Sequence, residues 1–211
     1  MGAMSNYLEN KLTDLYWRAQ AFTPPATHYF GLLTSTHGPR ANSTGYALNN
    51  TISLTATDGK VHLYKCTTAG TTAASQGSLY PGVADEVITD GTAVFTEQTA
   101  GLEAATAAVE PSGGSYARVG VAASLANFAG TQSSGSTTAS SGTAGTTSNN
   151  NSVTFASPTA NWGYVWGMAT YDASSAGNLM TWGPLNTVKT VNNGDAAPSV
   201  AAAGFTFQWD N

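Results

Sequence analysis

Between Arg118 and Asp172 the chain carries no Asp, Glu, Lys or Arg. A stretch of that length does not make ordinary surface helices, which set charged and long polar side chains opposite their apolar stripe. Ser, Thr, Asn, Gly and Ala occupy the polar positions instead, and such residues suit short strands and turns. The rest of the chain is hardly richer in charge, with 7 Lys and Arg against 12 Asp and Glu among 211 residues and a formal net charge of −5. Seven scattered cations cannot line a phosphate-binding groove, so nucleic acid is not an expected partner. With 41% hydrophobic and 10% aromatic residues the chain can still bury a core. The expectation is a mainly β protein.

One segment departs from this pattern. From Ser5 to Gln20, Leu8, Leu12 and Leu15 recur at i, i+4 and i+7, the spacing that aligns side chains along one helix face. Asn6 and Glu9 read as a capping box, and Pro24-Pro25 as the stop. A lone helix of this length is marginal in water, so its apolar side must cover a sheet or a neighbouring subunit. Leu8, Leu12, Leu15 and Trp17 are therefore the candidate assembly interface.

Strands are predicted at 28–33, 60–66, 92–96 after the Asp90-Gly91 turn, 116–121, 153–155, 162–171, 179–183 and 188–191, the last closed by Asn193-Gly194. Phe205, Phe207 and Trp209 then alternate with polar residues, the pattern of a terminal core strand. The stretch 39–102 differs in character, with Asp58, Asp85, Glu86, Asp90 and Glu97 inside it and Glu103 just beyond. These features predict a β-sandwich or jelly-roll-like body from 1–38 plus 103–211, led by one N-terminal helix and interrupted by an inserted small β module at 39–102. Residues 130–152 are almost pure Ser, Thr, Gly, Ala and Asn and read as a low-complexity loop or arm of the body.

Tyr46, Tyr64, Tyr80 and Phe95 are the candidate glycan-binding platform, since exposed rings stack on pyranose faces, although a module this small needs aromatic residues for its own core. Trp162, Trp166, Trp182 and Trp209 read as core or subunit interface, with Trp166 and Trp182 placed to pair across a hairpin. His28, His37 and His62 lack the spacing of a zinc site. Asp85-Glu86 are sequence neighbours and do not flank a bond as glycosidase carboxylates do, and no Gly-x-Ser-x-Gly elbow occurs. No catalytic residue, metal or cofactor is expected. Cys66 is the single cysteine, so no intramolecular disulfide is expected. With no secretory signal and no long apolar run, the expectation is assembly in a reducing cytoplasm without a membrane span.

Several motifs resemble those of short bacteriophage virion proteins of the tail-fibre and head-decoration type. They are Asn6 to Leu12, Pro25-Ala26-Thr27 leading into His28 to Leu33, Gly114 to Val119, Asn151 to Phe155, Trp162-Gly163 with Tyr171-Asp172-Ala173 and Gly177-Asn178-Leu179, and Lys189 to Asp195. In the family's order they cover about 1–36 and 104–211. Tyr46-Ala47-Leu48, Val61 to Thr71 and Thr89 to Phe95 resemble instead small β modules of phage tail proteins, distantly like chitin-binding modules, with Phe95 standing where those carry Trp. The resemblance implies a non-enzymatic virion structural protein, expected here as a capsid decoration or cement protein on the virion surface. It would assemble in the host bacterial cytoplasm as a dimer or trimer, against the major capsid protein or tail proteins. The alternative is a tail-fibre or tail-associated protein whose module binds host-surface polysaccharide.

Overall fold

The computed structural model describes residues 3–143 and 145–209. Met1 and Gly2, one position of the 130–152 arm and the end of the terminal alternation at Asp210 lie outside the described residues. The chain is mainly β, with antiparallel sheets and a helix near its start. In order it forms β1 (Ala3–Met4), α1 (Asn6–Arg18), β2 (Thr27–Ser35), β3 (Gly45–Tyr46), β4 (Thr51–Thr55), β5 (Val61–Thr68), β6 (Gly70–Thr71), β7 (Val87–Asp90), β8 (Ala93–Glu97) and α2 (Thr99–Glu103). There follow β9 (Val119–Ala122), β10 (Thr146–Ser148), β11 (Val153–Thr154), β12 (Gly163–Tyr171), β13 (Leu179–Val191), β14 (Ser199–Val200) and β15 (Thr206–Gln208).

The centre is a five-stranded sheet in the order β1-β13-β12-β2-β9. β2 and β12 are buried on both faces over most of their length, which is why β2 reads as the continuous apolar run Phe30-Gly31-Leu32-Leu33 and not as a clean alternation, whereas β13 is buried mainly at its ends. Phe30, Leu32, Val165, Met168 and Val191 form one face, over which Val153, Phe155 and Trp162 pack with Val200 and Phe205. Leu33, Trp166, Ala169, Tyr171 and Leu179 form the other, covered by Val61 and Leu63 of β5 and Leu102 of α2. The second layer on the first face is made of the short ribbons β11–β14 and β10–β15. A bulge between Val165 and Gly167 shifts the pairing of β12 with β2 and β13. The extra residue reverses the alternation, so Trp166 and Ala169 share one face and Val165 and Met168 the other. Trp182 accordingly lies opposite Ala169 and not opposite Trp166, which corrects the expected indole pair.

Residues 39–102 hold a four-stranded sheet, β4-β5-β8-β7, and the two-residue ribbon β3–β6. Their own core contains Ile52, Leu54, Tyr64, Cys66, Ile88 and Phe95. Gly91 turns β7 into β8 at φ +66°, and a Cβ there would fall 2.2 Å from the Thr71 carbonyl oxygen. Two carboxylates lie inside this region. Asp90 accepts from Arg40 Nη2 at 3.0 Å, Tyr80 Oη at 2.8 Å and the Ala73 N–H at 2.8 Å. Burial pushes its pKa up, but the bonds from Arg40, Ala73 and Tyr80 outweigh that and hold it below the usual carboxylate value. Glu97 accepts from His62 Nδ1 at 3.0 Å and from the N–H groups of Asp85 and Thr99 at 2.9 and 2.7 Å. His62 Nε2 also meets Asp58 at 3.1 Å. Thus His62 does have acidic partners, one four residues away and one brought across the sheet.

The start of α1 differs from the expected box. Ser5, not Asn6, is the N-cap; its Oγ accepts the Leu8 N–H and donates to the Leu179 carbonyl, and its own N–H reaches Met180 O at 2.9 Å. The helix stops at Arg18, where Ala19 turns left-handed at φ 54°, well before Pro24. Of the stretch 130–152, Thr146–Ser148 forms β10, paired with β15, and Asn149 is buried.

Candidate functional site

An apolar groove of about 450 Å³ opens between α1 and the β10–β15 ribbon. Leu8 and Leu12 form one wall, with Phe22, Pro24 and Pro25 from the segment that leads into β2. Phe128, Phe205 and Phe207 form the other, with Trp209 at the rim. Met180, Thr170 and Thr181 contribute to the floor. The two threonine hydroxyls bond each other at 2.7 Å, so neither needs water or a ligand. Among the described residues no Asp, Glu, Lys or Arg lines the groove. His28 does, set edge-on to Phe128 with ring centroids 5.3 Å apart, and burial lowers its pKa from 6.5. At neutral pH the groove is therefore uncharged.

Beside this groove α1 runs out into solvent. Leu8 is 6% exposed and fixed in its own chain, while Leu15 is 43%, Tyr16 78% and Trp17 79% exposed. The Tyr16 and Trp17 rings meet edge to face at 4.9 Å. At about 100° per residue, Leu15 continues the Leu8–Leu12 line, whereas Trp17 comes round to the side opposite Leu8. Of the four residues expected at the assembly interface, Leu8 and Leu12 thus build the groove and Leu15 and Trp17 remain uncovered. Tyr16, four residues after Leu12 on the same helix, belongs to the same surface, as do Phe22 and Phe207, which no helical spacing points to. Trp209 was expected in the core. It lies past the last residue of β15, is 53% exposed and stacks edge-on against Phe207 at 5.1 Å.

The candidate glycan platform requires correction. Tyr46 is 4% exposed and Tyr64, Tyr80 and Phe95 are 0% exposed, so none offers a ring face to a sugar. They form a chain of edge contacts, Tyr64 with Tyr80 at 4.9 Å and Tyr46 with Phe95 at 5.4 Å. Tyr46 Oη accepts the Ala41 N–H at 3.0 Å. A region with so few aliphatic side chains fills its interior with these rings. Trp162 is likewise internal, 4% exposed and donating from Nε1 to Gly114 O at 2.9 Å. Among the described residues no group of three or more His, Cys, Asp or Glu is arranged to hold a metal ion. No helix there is long and apolar enough to cross a membrane.

No curated protein matches the chain. A family model described as podophage GP4 fiber I protein gp80 matches residues 3–102 and 88–208. The two stretches together take in the central sheet, α1, residues 39–102 and the groove except for Trp209. The chain belongs to this family of phage fibre proteins.

Proposed function

We propose that the chain is a structural subunit of a phage tail fibre, that it catalyses no reaction, and that it is held in the virion through the apolar surface made by the groove and the end of α1. The family match carries this reading, because its description names a fibre. It moves the balance away from the expected capsid decoration or cement role and toward the tail-fibre alternative. The uncharged groove flanked by exposed Leu15, Tyr16, Trp17 and Trp209 supports assembly, since isolated soluble domains rarely leave large neighbouring apolar side chains uncovered. Residues 39–102 are read as an inserted module, supported by their separate sheet and core. A sugar-binding role for that module draws no support from its four buried rings.

The test is the copy number of the protein in purified virions, measured by quantitative mass spectrometry against the major capsid protein. A few copies per particle are expected. One copy, or a simple fraction, per capsid subunit would return the protein to the capsid surface.

A further inference from the structure

We infer that the groove is filled by the Tyr16–Trp17 pair of a second copy of this chain. The inference rests on reading the groove as an assembly surface, and not on where in the virion the protein sits. Each copy carries both halves of the contact. The socket is apolar, about 450 Å³, and uncharged. The knob is two neutral rings, each more than three-quarters exposed, already packed edge to face. Its only charged neighbours on the last turn, Asp14 and Arg18, pair with each other at 2.7 Å, so the knob brings no net charge to the groove.

A chain cannot fill its own socket. The N-terminal end of α1 is tied to β13 through Ser5, whose bonds to Leu179 and Met180 fix the helix against the sheet. Leu8 and Leu12 then occupy the side that faces the groove, and Trp17 lies on the side turned away. A second copy has no such restriction. A buried aromatic ring covers on the order of 150–250 Å², so a reciprocal exchange of two ring pairs covers roughly 600–1,000 Å². Trp209 lines the groove, Leu125 follows the lining residue Ser124, and Leu15 lies one helical turn beyond Leu12, all at least 43% exposed; their burial brings the total toward the roughly 1,200–2,000 Å² of a stable interface. Reciprocal exchange also closes the assembly on itself by two-fold symmetry, leaving no knob or socket open.

The experiment is sedimentation velocity on the full chain over a range of concentrations, with two variants at exposed positions. Tyr16→Ser with Trp17→Ser removes the knob, and Ser124→Trp plugs the socket from its exposed edge. The wild type should self-associate, and each variant should weaken association by at least about tenfold, the loss expected for a central aromatic anchor. Unchanged circular dichroism and melting would verify that each is folded. A mixture of the two variants should associate more tightly than either alone, because one intact knob then meets one intact socket. A monomeric wild type, a knob variant that associates as the wild type does, or a mixture without recovery would each overturn the inference. None of these results alters the copy number per virion, so the two readings fail separately.

Discussion

Inside residues 39–102 two carboxylates are buried with basic partners, Asp90 with Arg40 and Glu97 with His62. The loops folded over the central sheet are tied down by neutral groups instead. Asn149, 1% exposed, donates from Nδ2 to the carbonyls of Asn151 and Ala201, each at 2.8 Å, and accepts the Phe205 N–H at 2.9 Å. It does with one amide what Asp90 does with one charge, gathering strands from distant parts of the chain. The two solutions differ in what they expose to risk. A buried ion pair adds little net stability but is costly to break by halves, whereas a neutral network is insensitive to salt and pH. A charged counterpart outside residues 39–102 is Glu110, which receives Arg118 at 2.6 Å and Tyr116 Oη at 2.6 Å while the guanidinium lies 3.3 Å over the Tyr171 ring.

The strongest way to break the contrast is Asp90→Ala. It leaves the Arg40 guanidinium, whose side chain is 1% exposed, without its counter-charge, and should cost about 3–5 kcal/mol in urea unfolding. A loss below about 1 kcal/mol would show that the pair is not what organises this core. Asn149→Ala should cost less, about 1–3 kcal/mol, because it strands neutral backbone groups and no ion. Its effect should be the same at low and high salt, and a strong salt dependence would contradict the neutral reading.

Protonation sharpens the comparison by sign. The hydrogen bond to Glu97 leads the causes that raise the His62 pKa above 6.5. Its contribution is therefore whole below pH 6.5 and fades as the pH climbs through the raised value. Glu97 and Asp58 are lowered, burial being outweighed by hydrogen bonds, so acid removes their contribution as the pH falls through those lowered values. His28, lowered by burial, behaves oppositely to His62: its site is most stable above pH 6.5 and weakens as the pH drops toward the lowered value. Unfolding curves of wild type, His62→Gln and His28→Gln across this range should show the two dependences removed one at a time. Identical pH profiles for the two variants would contradict the opposite signs. Least affected should be Arg18→Ala, which breaks an exposed i,i+4 pair worth about 0.3–0.5 kcal/mol; a shift in melting beyond the corresponding degree or two would mean that Arg18 makes contacts not seen here.

The elements legible in the sequence are those whose pattern is local and long. β2 and β12 announce themselves by apolar runs, α1 by leucine spacing and the Asn193-Gly194 turn by its residues, with Gly194 at φ +82°, whereas the strands expected at 179–183 and 188–191 are one continuous β13 that runs on through Pro184 to Thr187. β4 and β7, of five and four residues, gain their identity only from pairing with β5 and β8. The groove is harder still, because its walls come from α1, the segment before β2, the turn after β9 and the chain end. Alternation alone placed Trp209 inside, but the strand stops at Gln208 and the rule stops with it. Sequence likewise could not tell a ring that faces sugar from a ring that faces Phe95. Residue type is the same for both, and only the sheet order decides.

The central sheet is a party wall. Val61 and Leu63 lean on it from one side and Phe155 and Trp162 from the other, so neither compartment can be lifted out without stripping the lining of a shared partition. Cutting out residues 39–102 would bare Leu33, Trp166 and Leu179 to water, and calorimetry of the intact chain should accordingly record one melting transition and not two.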